Sequence, residues 1–179
     1  MNEDSVIQQQ LHLLLTAYGY NLYNSNNRAR ADDLLVRQRA SASIGDAASH
    51  LGEVATDYAA HHIPPSTREN PYPPREQMAQ LEQMNELKDQ VSTLGALIRA
   101  MPAPTQDRTW ARIRSESGTL NALLRLDCRL ITVADAILHA VQNLSADAWA
   151  ADRVGELRTQ LAEMNTITHE RDRLLQAPF

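Results

Sequence analysis

Apolar residues recur at alternating three- and four-residue spacing along most of the chain, most cleanly at Met84, Leu87, Val91, Leu94, Ile98 and Met101. Such spacing gathers apolar side chains into one stripe along an α-helix, and a stripe needs partner helices to cover it. The pattern predicts an all-α protein: an up-down bundle of four long antiparallel helices plus an N-terminal helix. No shift in composition divides residues 1–179, so a single domain is expected.

The N-terminal helix is expected over about 4–23, with Ile7, Leu11, Leu14, Tyr18 and Leu22 on one side. Asn24-Ser25-Asn26-Asn27 interrupts it, because short polar side chains compete for backbone hydrogen bonds and favour turns. A second helix is expected over about 28–62, with the seam Ile44, Ala47, Leu51, Val54 and Tyr58. Gly45, Ala48, Gly52, Ala55 and Ala59 flank that seam and would let a neighbouring backbone approach closely. Residues 64–74 hold five of the eight prolines, which makes them a semi-rigid, extended connector. The P-x-x-P spacing of Pro71 to Pro74 also occurs in proline-rich ligands, but a plain connector explains it as well.

The third helix, about 75–101, stops because Pro102 and Pro104 cannot continue it. The fourth, about 107–143, has the broadest apolar surface and one narrow polar stripe: Arg125, Arg129, Thr132, Asp135, His139 and Gln142. Ser145 is a cap for the fifth, about 146–176, with Val154, Leu157, Leu161, Met164, Thr168 and Leu175 along its seam. Short loops make consecutive helices antiparallel neighbours.

The formal charge of −5 and pI near 5.6 argue against nucleic-acid binding, which needs positive charge concentrated on one face. Arginines do cluster, at Arg28, Arg30, Arg37 and Arg39 and at Arg108, Arg112 and Arg114. Asp32, Asp33, Asp107 and Glu116 interleave them, so both groups read as solvated mixed-charge faces. The leucines at 11 and 13–15 form too short a run for a membrane span, and the single cysteine, Cys128, excludes an intrachain disulfide; a cytoplasmic location is expected.

Candidate chemistry is confined to a few polar residues. Asp46, His50, Glu53, Asp57 and His61 share one side of the second helix, where imidazoles and carboxylates can bind a transition metal if another helix completes the ligand set. Folding the chain at the expected loops places His50 level with His169, to within about one turn. If those two helices are adjacent, His50, Glu53 and His169 converge, with Glu170 beside them. Neither paired Glu-x-x-His motifs nor His-Glu-x-x-His occurs, so no known metalloenzyme class is indicated.

Asp127 falls in the seam between Leu124 and Ile131, where a carboxylate must be paired or hydrogen-bonded. Arg171 is also at a seam position, but the same folding puts it about two turns away, which argues against direct pairing. Asp135 and His139 form a four-residue surface pair. No phosphate loop or nucleophile elbow is present.

The expectation is a non-enzymatic helical interaction or scaffold protein of a bacterial type, needing no cofactor. It would act on a protein partner or self-associate as a homodimer through the 75–101 seam. The alternatives are a bundle binding a transition metal ion through His50, Glu53 and His169, and an amphipathic surface-coat protein.

Overall fold

A computed structural model describes residues 28–68, 71–101, 117–147, 149 and 151–176. The helix expected over 4–23, with Tyr18, Tyr20 and Tyr23, and the stretch 102–116 lie outside the described residues. The described chain is helical, with no strand: α1 is Arg28–His62, α2 Arg75–Ala100, α3 Ser117–Gln142 and α4 Ala151–Gln176. No helix among them is long and apolar enough to cross a membrane.

The ends of α2 follow from its prolines and charges. Pro74 precedes it in extended backbone, and its carbonyl accepts the Met78 N–H at 3.1 Å, closing the first turn. Glu76 in the first turn and Arg99 in the last complement the helix dipole. Met101 turns extended (φ −51°, ψ 135°), as a residue before proline does.

The apolar stripes are where the core lies. Ile44, Ala47, Leu51, Val54 and Tyr58 of α1 are buried, as are Met84, Leu87, Val91, Leu94 and Ile98 of α2 with Met101 just beyond. From α3 come Leu130, Ile131, Ala134, Ile137 and Val141, and from α4 Leu157, Met164 and Ile167. A smaller cluster of Ala55, Tyr58, Met84 and Ala146 closes one end of the molecule, with Ile63, Leu81 and Trp149 packed on it.

Contacts group the four helices as two hairpins, α1–α2 and α3–α4, joined mainly by α1 on α3, with a slight contact of α2 on α4. Arg37 reaches Met101, Ser41 reaches Gly95 and Tyr58 reaches Gln80, so α1 and α2 are antiparallel. Asp127 with Arg171 and Arg129 with Glu163 set the same sense for α3 and α4. Asp135 meets Arg39 and Ser43 early in α1, while Asp147, past the end of α3, meets His62 at the end of α1; these two helices run the same way. Although α2 and α3 are consecutive in the chain, they share no comparable interface.

Two local expectations are corrected. The close backbone approach is at Gly95, where an added Cβ would lie 3.2 Å from Ile44 Cγ2 and 3.8 Å from the Ser41 carbonyl. Gly45 and Gly52, expected to play that part, are looser: a Cβ at Gly45 meets nothing within 4 Å, and one at Gly52 only Lys88 Cδ at 3.7 Å. The last helix starts at Ala151 instead of about 146, because Leu144 and Ala146 are buried and hold the chain across the end of α3 before it turns back.

Leu94 and Ile131 lie in the packed centre at 4% and 0% exposure. Replacing either by Ala is expected to cost about 2–5 kcal/mol through lost burial and a residual cavity. The urea midpoint measures it, and an unchanged midpoint would remove that residue from the core.

Candidate functional site

The stripe from Asp46 to His61 lies along a solvent-facing side of α1, with Asp46, Glu53, Asp57 and His61 exposed and His50 half-buried. His50 Nδ1 is 3.3 Å from Glu53 Oε2, and His61 Nδ1 is 3.0 Å from Asp57 Oδ1. Each is a local pair within one helix, worth little at an exposed site. His169 does not join them. It is exposed on α4, its Nδ1 2.7 Å from the Asn165 carbonyl, and α4 packs chiefly on α3 instead of on α1. Glu170 accepts from Arg129. Among the described residues, no three His, Cys, Asp or Glu side chains come together to hold a metal ion.

The polar groups that the fold brings together lie between helices. Arg171 is fully buried, and its Nε donates to Asp127 Oδ1 at 2.8 Å, with the Asp127 side chain 6% exposed. The expectation that the two lie about two turns apart is overturned. Starting α4 at Ala151 slides it by about five residues, close to one and a half turns, toward that pairing, with Leu144 and Ala146 buried in the connection before it. Burying two charges costs several kcal/mol each, offset only by good geometry and further hydrogen bonds.

Arg37 and Arg39 are not a solvated face. Arg37 is buried and donates to the Met101 carbonyl at 2.7 Å, satisfying an end group of α2. Arg39 and Ser43 both donate to Asp135, at 3.1 Å and 2.8 Å, so Asp135 bridges to α1 instead of pairing with His139. Ser41 donates to the Gly95 carbonyl at 3.2 Å and accepts from Arg99 Nε at 3.3 Å. In the sequence, the signal for these bonds is the four-residue spacing of Arg37 with Ser41 and of Arg39 with Ser43.

Beyond these clamps, the surface offers a groove of about 850 Å³ between α1 and α2. Gly52, Thr56 and Ala60 form its α1 side, Leu81, Asn85 and Lys88 its α2 side, and Glu53 and Asp57 its acidic edge. Toward one end Tyr72 and Met78 are exposed large apolar side chains.

The fold and its polar contacts define an all-helical protein of paired hairpins, clamped by charged side chains between its helices. Comparison with known protein families, curated proteins and solved structures finds no match.

Two stability measurements separate clamp from surface. Asp127→Ala, which strands the buried Arg171 guanidinium, is expected to cost about 3–5 kcal/mol, and the paired change Asp127→Leu with Arg171→Met to recover most of that loss. Equal losses in the single and double variants would show that shape, not charge pairing, holds this interface. His50→Ala with His169→Ala is expected to shift stability by less than about 0.5 kcal/mol per site; a larger fall, accompanied by lost metal in elemental analysis, would restore the metal-centre reading.

Proposed function

We propose that the chain is a non-enzymatic helical interaction protein, its two hairpins closing into a four-helix bundle that serves as a scaffold for a protein partner. The observation that carries this reading is the open groove between α1 and α2. Its lining is dominated by small residues, so a docked helix can bring its backbone close, as small-residue contacts between helices permit. Exposed Glu53 and Asp57 along one edge favour an amphipathic partner helix with basic residues beside its apolar face.

The buried polar side chains support a structural role. Arg37, Ser41 and Ser43 each bond to a neighbouring helix or its end, and Asp127 and Arg171 bond to each other. The α2 stripe, which prompted the expectation of a homodimer, is buried against the rest of the chain, so self-association would use another surface, of which the groove is one.

The test is cross-linked capture from the source cells with wild type and Thr56→Arg, a change in the exposed groove wall. A partner held by wild type and by the His50→Ala variant, but lost with Thr56→Arg at unchanged thermal stability, is expected. Identical capture by all three proteins would exclude the groove as the contact surface, and light scattering that gave twice the chain mass, abolished by Thr56→Arg, would make the partner a second copy.

A further inference from the structure

The connector between α1 and α2 is longer than joining them requires. Tyr58, near the end of α1, donates to Gln80, near the start of α2, at 3.1 Å, so the two helix ends are already neighbours. Packed helices stand about 8–10 Å apart, and connections of roughly 2–8 residues join them in bundles. Residues 63–74, between His62 and Arg75, number twelve, enough to reach about 40 Å when extended. The surplus does not pack on the core. Ile63 lies against the end cluster, but Pro64, Pro65, Pro71, Tyr72 and Pro74 are exposed, and Pro73 is half-buried.

We propose that Pro71–Pro74 is a recognition segment for a second protein, one whose binding groove is lined by aromatic side chains, with Tyr72 as the anchor. The proposal does not rest on the groove between α1 and α2.

Exposure alone would not carry it, since single apolar side chains at a surface are ordinary. Tyr72 differs in degree and in setting: it is 82% exposed, against 42% for Met78, 45% for Leu97 and 48% for Leu34, and it stands between prolines. The rings of Pro71, Pro73 and Pro74 fix their own φ, and a following proline turns Tyr72 and Pro73 away from the helical region. The chain bends at Tyr72 and enters α2 through Pro74, whose φ of −56° and ψ of 132° lie in the polyproline II region. Such a backbone has little freedom left to lose on docking, a cost that a flexible ligand would meet in full.

The same prolines select the kind of partner. Three of the four residues have no N–H, so the segment cannot pair as an added strand, and it is not a helix that could lie in a helical groove. It offers bare carbonyls and flat apolar rings. Aromatic side chains match that combination, because their faces cover proline rings while a tyrosine O–H or tryptophan N–H donates to the carbonyls. Charge does not choose the partner: Arg68 and Arg75 flank the segment, but Glu69 and Glu76 directly follow them. Recognition therefore falls to the apolar surface. Met78, whose N–H bonds to the Pro74 carbonyl at 3.1 Å, extends that surface by one exposed side chain in the first turn of α2.

Titration of the full chain into a panel of isotope-labelled SH3 and WW domains, followed by NMR, tests the segment. Saturable shifts at the groove aromatics of at least one domain are expected with wild type. Tyr72→Ala, and separately Pro71→Ala with Pro74→Ala, are expected to weaken that binding by at least about tenfold, as loss of an anchor does. The melting temperature of Tyr72→Ala should equal that of wild type, because the side chain lies in solvent. The proposal falls if no domain of the panel binds, or if either connector variant binds as wild type does. It also falls if Thr56→Arg abolishes domain binding, because connector and groove would then be one surface. Loss of partner capture in Thr56→Arg with domain binding intact reports on the groove alone, so the two readings fail separately.

Discussion

The position of α1 between α2 and α3 is the constraint on which the rest depends. A helix with two neighbours must satisfy two interfaces at once, and α1 does so by dividing its polar residues between them. Arg37 and Ser41 turn toward α2, while Arg39 and Ser43 turn toward Asp135 on α3. Residues two apart on a helix project to nearly opposite sides, and residues four apart to the same side. The run 37–43 therefore interleaves two pairs of donors, one for each neighbouring helix.

The second hairpin depends on a different device. The α3–α4 interface holds a buried ion pair, Asp127 with Arg171, and an exposed set, Arg129 with Glu163 and Glu170. An ion pair within an aliphatic interface tolerates little displacement, because sliding either helix by a turn would leave both charges buried and separated. Its contribution is therefore to specificity of register more than to net stability.

Much of this was legible in the sequence, in unequal parts. The stripes of α1 and α2 and the bounds of α1 follow from period and from prolines, because those signals are local. Asp127 and Arg171 were each recognisable as out of place in an apolar seam. Their meeting was not, because register depends on how many residues a connection consumes. Leu144 and Ala146 sit in a segment that reads as a simple turn, yet their burial delays α4 to Ala151. Adjacency was hidden for a similar reason: sequence order suggested that α2 would pack on α3, whereas α3 lies on α1, and His169 is thereby kept from His50 and Glu53. The groove could not be read at all, since small residues beside a seam look the same whether a neighbour covers them or not.

The contact at Gly95 bears on how the first hairpin avoids mispairing. Its two stripes are aliphatic and almost repetitive, so a shift by one heptad would still set apolar against apolar. At Gly95 α2 comes so near that Ile44 Cγ2 would stand 3.2 Å from a Cβ. A heptad shift in one direction would bring Lys88 to that point, and in the other Pro102. One would force an ammonium-bearing chain into that narrow gap, and the other would place a helix-terminating residue inside the pair. A single absent side chain thus works as an alignment key, excluding the out-of-step hairpins that the hydrophobic pattern alone would accept.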